Sequence, residues 1–208
     1  YEDVLALCTA ADKYGNDISL TDEIATEMFA FMADEVDRYD TPHGKLVSGI
    51  LPVTAHVPLG FAVGALPSGR KAWTTLTDGL SPTGGTDVNG PTAVLKSVSK
   101  IPHDMFVSGT LLNMKLDPSF LEDDRGLRNL MWLIRSMCDL GVYHVQFNVV
   151  SADTLKAAQE NPENYRDLLI RVAGYTAYFV ELGRDVQNEI IGRTVLSYKG
   201  NQSLKGEC

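Results

Sequence analysis

Gly174, in the run Arg171-Val172-Ala173-Gly174-Tyr175, makes the most specific chemical demand in this chain. It interrupts Leu168-Leu169-Ile170-Arg171-Val172, which would otherwise continue as helix or strand. A glycine there means either a backbone with positive φ or an α-carbon that must carry no side chain. On the pentapeptide alone, a turn glycine is the simpler account. The usual catalytic residue types offer less. His43, His56, His103 and His144 have no metal-ligand spacing, so no metal site is expected from this chain. Cys8, Cys138 and Cys208 form no CxxC pair. Cys138 sits in the apolar run Met131 to Cys138, where a buried structural thiol is expected. Gly84-Gly85-Thr86-Asp87 resembles a phosphate cradle in composition but lacks the preceding strand and the lysine of a P-loop.

The elements that must position these residues follow from periodicity. Residues 2 to 11 read as the end of a helix. A long amphipathic helix follows, with Ile24, Met28, Phe31, Met32 and Val36 as a core-facing stripe, and it stops at Thr41-Pro42. Residues 48 to 60, β-branched and punctuated by Gly and Pro, predict a buried, kinked strand. In it His56 reads equally as a core histidine or as a pocket-lining group. Residues 64 to 89 are turn-rich, and a loop of that length in a compact domain is functional or wraps over a partner. A helix starts after Asp87 or Asn89, with Pro91 in its first turn and Ala93 to Val98 as its body. Residues 106 to 116 predict a strand, Arg125 to Leu140 an apolar helix, and Val142 to Val150 the clearest strand. One face of that last strand carries His144, Gln146 and Asn148, so it is solvent-facing or lines a polar cavity. Ser151 caps the next helix, which ends near Pro162. This order predicts an α/β fold with βαβ-like units.

With 208 residues, 44% hydrophobic and 22% charged, the chain has the composition of a soluble globular protein with a real core. A net charge of -9 without any basic block argues against nucleic-acid or anionic-membrane partners. No apolar run reaches membrane-spanning length and no leader pattern opens the chain, so a cytoplasmic location is expected. Tyr1-Glu2-Asp3-Val4 begins mid-pattern, as if cut from a larger chain or completing a partner.

The last third of the chain resembles the glycyl radical enzymes, the group of pyruvate formate-lyase, glycerol dehydratase, choline trimethylamine-lyase and the arylacetate decarboxylases. The resemblance rests on Ile170-Arg171-Val172-Ala173-Gly174-Tyr175, Phe179-Val180-Glu181-Leu182 and Gln187-Asn188-Glu189-Ile190-Ile191-Gly192-Arg193-Thr194. These carry the family's Arg-Val-(Ser/Ala)-Gly-(Tyr/Phe) core and, one helix later, its Ile-x-Arg-Thr ending. Upstream, Asp78-Gly79-Leu80-Ser81-Pro82, Gly90-Pro91-Thr92-Ala93-Val94, Leu112-Asn113-Met114-Lys115 and His144-Val145-Gln146-Phe147-Asn148-Val149 agree. The resemblance therefore spans roughly Lys13 to Thr194.

It implies the C-terminal portion of a ten-stranded β/α barrel over residues 1–150, a glycyl radical domain over 151–194 and a flexible tail over 195–208. Gly174 would be the radical residue, with Arg171, Val172, Ala173 and Tyr175 shaping its loop. A radical on an α-carbon spreads onto the flanking amide nitrogen and carbonyl if the centre can flatten, and without Cβ nothing clashes when it does. In the family, a radical S-adenosylmethionine activating enzyme with an iron–sulfur cluster removes the hydrogen, so no cofactor is expected on this chain itself. The buried glycyl radical then takes hydrogen from a catalytic cysteine, and the thiyl radical attacks a small organic substrate; closure of the site keeps out competing reactions.

No cysteine here has the family's Gly-Cys-x-Glu context. The expected partners are therefore the activating enzyme, the chain or region with that cysteine, and a second copy of the complete enzyme in a homodimer. A truncated or split lyase is expected, with a spare part that repairs an oxygen-cleaved relative, or a non-catalytic interaction subunit, as alternatives. By the same resemblance, the segment from Ile50 contributes to the pocket. Leu51, Val53, His56 and Val57 are candidate lining residues. Leu51 stands where some members carry tyrosine and suits an arylacetate undergoing decarboxylation, while dehydration of a hydroxylated substrate stays open.

Overall fold

The computed structural model describes residues 1–193 and 195–196, without the side chains of residues 119 and 120. Helices α1 (Glu2–Ala10) and α2 (Ser19–Asp37) open the chain, followed by the short strands β1 (Asp40–Thr41) and β2 (Gly44–Lys45). Next come α3 (His56–Ala62), α4 (Pro91–Ser99), β3 (Leu112–Leu116), α5 (Asp124–Asp139), β4 (Val145–Val149) and α6 (Ala152–Glu160). The hairpin β5 (Leu169–Arg171) and β6 (Thr176–Tyr178), α7 (Arg184–Gly192) and β7 (Val195–Leu196) complete it.

A three-stranded parallel sheet in the order β4-β3-β7 forms the spine, with Leu112 opposite Val145 and Leu116 opposite Val149. All five residues of β3 are buried, as a parallel strand covered on both faces must be. The pleat sorts them. Leu112, Met114 and Leu116 join Leu95, Val98 and Leu133 in the main core, with Val145 and Phe147 of β4 packed against it. Asn113, Lys115, Gln146 and Asn148 alternate with these and so leave by the opposite face. That face looks onto a second core of Val150, Leu155, Ala158, Ile170, Val172, Phe179 and Ile190, which joins α6, the β5–β6 hairpin and α7.

Local chemistry explains the element boundaries. Ser151 Oγ accepts the Thr154 N–H at the start of α6, as its sequence predicts, and Asp123 does the same for Gly126 at α5. Pro91 occupies the first turn of α4, where its missing N–H is not needed. Gly79 adopts φ +54°, and a Cβ there would lie 2.5 Å from the Leu111 carbonyl, so only glycine brings Asp78 this close to β3.

Four expectations are corrected. Residues 48 to 60 do not form a strand: Ile50 makes a single bridge to Thr110, and His56 onward is helical. Pro52 cannot donate to a ladder, and Val53 and Thr54 take positive φ (50° and 79°), which turns the chain out of register. The stripe of α2 does not face the core; Ile24, Met28, Phe31 and Met32 are all more than half exposed. The inward face is Asp22, Ala25, Phe29 and Ala33, turned that way because the buried Asp22 carboxylate takes a 2.6 Å hydrogen bond from Lys100. Cys138 is exposed; Leu133 and Met137 carry the inward face of α5 instead. Val195 and Leu196, expected in the tail, pair with Lys115 and Leu116 as β7, and the rest of that tail lies outside the described residues, as does Thr194.

Candidate functional site

The β5–β6 hairpin pairs Leu169 with Tyr178, Ile170 with Ala177 and Arg171 with Thr176. Its loop, Val172 to Tyr175, closes with the Val172 N–H donating to the Tyr175 carbonyl at 2.9 Å. Gly174 sits there at φ +85°, and a Cβ on it would meet nothing within 4 Å. Of the two demands a glycine can express here, the backbone therefore makes the conformational one. Val172 and Ala173 are buried, whereas Gly174 and Tyr175 are exposed. The burial expected of the radical centre is thus not supplied by the described residues.

The polar face of the sheet grips this loop. Asn148 Oδ1 accepts the Arg171 N–H at 2.9 Å and its Nδ2 donates to the Arg171 carbonyl at 2.7 Å. Gln146 Oε1 accepts the Gly174 N–H at 3.2 Å. From the end of α7, Arg193 Nη1 donates to the Val172 carbonyl at 2.9 Å. The Arg171 guanidinium only bridges to Thr176 Oγ1, at 2.8 Å. The two readings of the polar face of β4 are both too simple: His144 lines the cavity over the loop, whereas Gln146 and Asn148 are buried and bonded to the loop backbone.

Arg193 belongs to a buried charge cluster. Its Nε and Nη2 donate to the two Glu189 oxygens at 2.9 and 2.8 Å, and Nη2 lies 3.5 Å from Asp78. His56 Nε2 is 3.6 Å from Glu189, too long for a hydrogen bond and close enough for electrostatic coupling. Burial pushes Glu189 up, but His56 and Arg193 more than offset this and hold its carboxyl below the ordinary range. Burial raises Asp78, opposed by the Arg193 charge and by the hydrogen bond from Asn113 Nδ2. Lys115, pulled down to about 8 by burial and by Arg193, donates to the carbonyls of Ile190 and Ile191 at 3.2 and 2.9 Å. A cation at those carbonyls complements the negative end of α7.

A cavity of about 420 Å³ opens over the loop, lined by Leu51, Val53, Ser108, Gly109, Thr110, Tyr143, His144, Ala173 and Gly174. Of the four residues predicted to line a pocket, Leu51 and Val53 share this cavity with Gly174. His56 and Val57 do not; both are buried in α3. Neither Cys8 nor Cys138 reaches the cavity. A second space, of about 800 Å³, is bounded by Asp78, Asn113, Lys115, Glu189 and Arg193 and does not include Gly174. Among the described residues no group of His, Cys, Asp and Glu could hold a metal ion, and no helix is long and apolar enough to cross a membrane.

Sequence reasoning misses Gln146, Asn148, Asp78, Lys115 and Glu189 as residues that hold the loop and its surroundings. The readable signal is the polar alternation of β4 and its register against β3, which pairs Gln146 with Asn113 and Asn148 with Lys115.

An exposed left-handed glycine, held by backbone-directed amides above a cavity, is the geometry of a loop built around its α-carbon. Comparison with known proteins agrees. A family described as glycine radical matches residues 76–180, half of the chain, and one described as pyruvate formate lyase-like matches residues 1–60. The chain belongs to the glycyl radical enzyme family. It is 46% identical over 197 residues to the isethionate sulfite-lyase of Oleidesulfovibrio alaskensis, covering 93% of this chain and 24% of that protein. It is 42% identical to the trans-4-hydroxy-L-proline dehydratase of Clostridioides difficile, covering 93% and 25%. The glycerol-bound form of the B12-independent glycerol dehydratase from Clostridium butyricum superposes with a TM-score of 0.90 at 47% identity, covering 94% of this chain and 25% of that one. The fold is that of the C-terminal part of these barrels. The chain spans about a quarter of the length of the curated relatives it matches.

Proposed function

We propose that Gly174 stores the radical of a glycyl radical lyase, and that residues 1–208 act with a further stretch of protein bearing the catalytic cysteine. The hydrogen atom at the Gly174 α-carbon is taken by a radical S-adenosylmethionine activating enzyme, breaking the Cα–H bond homolytically. The glycyl centre later takes the hydrogen of a cysteine S–H; the Cα–H bond re-forms and the thiyl radical passes to substrate. The observation that carries this reading is the placement of Gly174 in the cavity wall, in a family-matching loop whose backbone is tied on both sides of the glycine-bearing turn.

The cavity joins apolar Leu51 and Val53 to the polar Thr110, Tyr143 and His144. That mixture suits a small organic substrate, and the reaction proposed for it is cleavage of a C–C or C–O bond, by decarboxylation or dehydration. Since neither Cys8 nor Cys138 lines the cavity, the thiol and the cover over Gly174 come from outside the described residues in this reading.

Anaerobic incubation with a competent activating enzyme and S-adenosylmethionine, followed by electron paramagnetic resonance, tests it. A doublet that is absent from Gly174→Ala is expected. A silent spectrum from an activating enzyme that works on a control substrate sinks the proposal. Turnover by the isolated chain would refute the need for a second stretch of protein.

A further inference from the structure

Gln146 is buried at 5% exposure and sits between two partners. Its Oε1 accepts the Gly174 N–H at 3.2 Å, and its Nε2 lies 3.3 Å from Nε2 of His144. A backbone N–H can only donate, so it fixes which end of the Gln146 amide faces the loop. The NH₂ end must then face His144, which has to present an unprotonated Nε2. The chain His144–Gln146–Gly174 therefore has one direction, and it selects the Nδ1–H tautomer of His144.

The conformation of Gly174 gives this chain a consequence. A flattened α-carbon shares its unpaired electron with the amide nitrogen only when the preceding peptide lies in the plane of the centre. At φ +85° the two π systems are almost perpendicular. Radical formation thus drives φ away from the left-handed region towards the fully extended, coplanar backbone. The amide side of the loop cannot supply that turn. Asn148 holds Arg171, Arg193 holds the Val172 carbonyl, and Gln146 holds the Gly174 N–H. The next peptide is looser: among the described residues neither the Gly174 carbonyl nor the Tyr175 N–H is hydrogen-bonded, and the loop is next tied at the Tyr175 carbonyl, which accepts the Val172 N–H.

Resting on the reading of Gly174 as the radical store, we propose that Gln146, oriented by His144, is a positioning residue. It pins the Gly174 amide as the fixed pivot about which the radical centre flattens, and the Gly174–Tyr175 peptide does the moving. The hydrogen bond also leaves more electron density on the amide nitrogen, the donor half of the delocalised radical. Neither residue exchanges an atom with substrate in this role.

Two measurements on the 208-residue chain test it. In unactivated protein, nitrogen-15 resonance should find His144 protonated at Nδ1 and bare at Nε2. Exchange of the Gly174 amide should quicken at least tenfold in Gln146→Leu and return in Gln146→Glu, whose carboxylate can still accept. The tautomer of the wild-type chain needs no variant, so a misfolded Gln146→Leu does not shield the proposal. In activated protein labelled with nitrogen-15 glycine, the hyperfine coupling to the Gly174 nitrogen should change in Gln146→Leu and be restored in Gln146→Glu. A proton on His144 Nε2, unchanged exchange in Gln146→Leu, or unchanged hyperfine coupling overturns the proposal. A wild-type chain that never forms the doublet instead defeats the radical-store reading, while the tautomer and exchange results still judge the pivot.

Discussion

Asn148 binds Arg171 through both ends of its side-chain amide, taking the N–H at 2.9 Å and giving to the carbonyl at 2.7 Å. A side chain thereby stands in for a neighbouring strand and fixes the edge of the β5–β6 hairpin on the main sheet. Its removal leaves two backbone groups without partners, each worth about 1–3 kcal/mol when buried. Arg171 is only half-buried, so Asn148→Ala is expected to cost about 2 kcal/mol in all. Urea unfolding should read that loss as an earlier midpoint; an unmoved midpoint contradicts the clamp.

Arg193 serves the same loop from the end of α7 and neutralises Glu189. Replacement by methionine removes the forked partner of a buried carboxylate and leaves it with His56 at 3.6 Å, a change that costs about 3–5 kcal/mol. Arg193→Lys keeps the charge but not the fork that reaches Glu189 and Val172 together, so it should recover only part of the stability. Thermal melting of the two variants orders them: wild type, lysine, methionine.

Lys115 predicts a rise of stability with alkaline pH. Burial lowers its folded pKa from 10.5 to about 8. Between those values the unfolded chain holds a proton that the folded chain has lost, so unfolding becomes harder as pH increases. The cost of burying the ammonium is fully present below about 8 and is relieved above it, by an amount on the order of 3 kcal/mol. The difference in unfolding free energy between wild type and Lys115→Met, measured across that alkaline range, should shift in favour of wild type. A flat difference contradicts it.

Gly174→Ala is expected to fold. The added methyl meets nothing within 4 Å, and the only penalty is the left-handed backbone, about 1–2 kcal/mol. Asn, which tolerates that region better, should cost less. Far-ultraviolet circular dichroism and a melt check both. A collapse of the fold in Gly174→Ala would remove its use as the radical-free control.

Much of the frame is legible in the chain. Pro91, Ser151 and the alternation of Val145 to Val149 mark their elements because caps and periodicity act over a few residues. The loop motif and its distance to Arg193 are equally local patterns, and they carry the family assignment. Failures have one cause. Periodicity gives α2 an apolar stripe at Ile24, Met28, Phe31 and Met32 but not the neighbour that would cover it, and the Asp22–Lys100 bond turns another face inward. Likewise, Val57 and His56 belong to a helix because Pro52, Val53 and Thr54 break the strand that their neighbours favour.

The sequence by itself determined that Gly174 is the residue of interest, through a motif whose parts lie within one hairpin and the helix after it. It also determined that β4 carries polar side chains on one face. Only the tertiary structure decided what they do. The parallel register of β3 and β4 gathers Asn113, Lys115, Gln146 and Asn148 on one face, and the second core holds the glycine loop against it. Contacts such as Gly174 with Gln146 span 28 residues, and no local propensity encodes a hydrogen bond between backbone and side chain at that separation. Packing brings the two together, and the one-way polarity of an amide then settles the direction in which they bond.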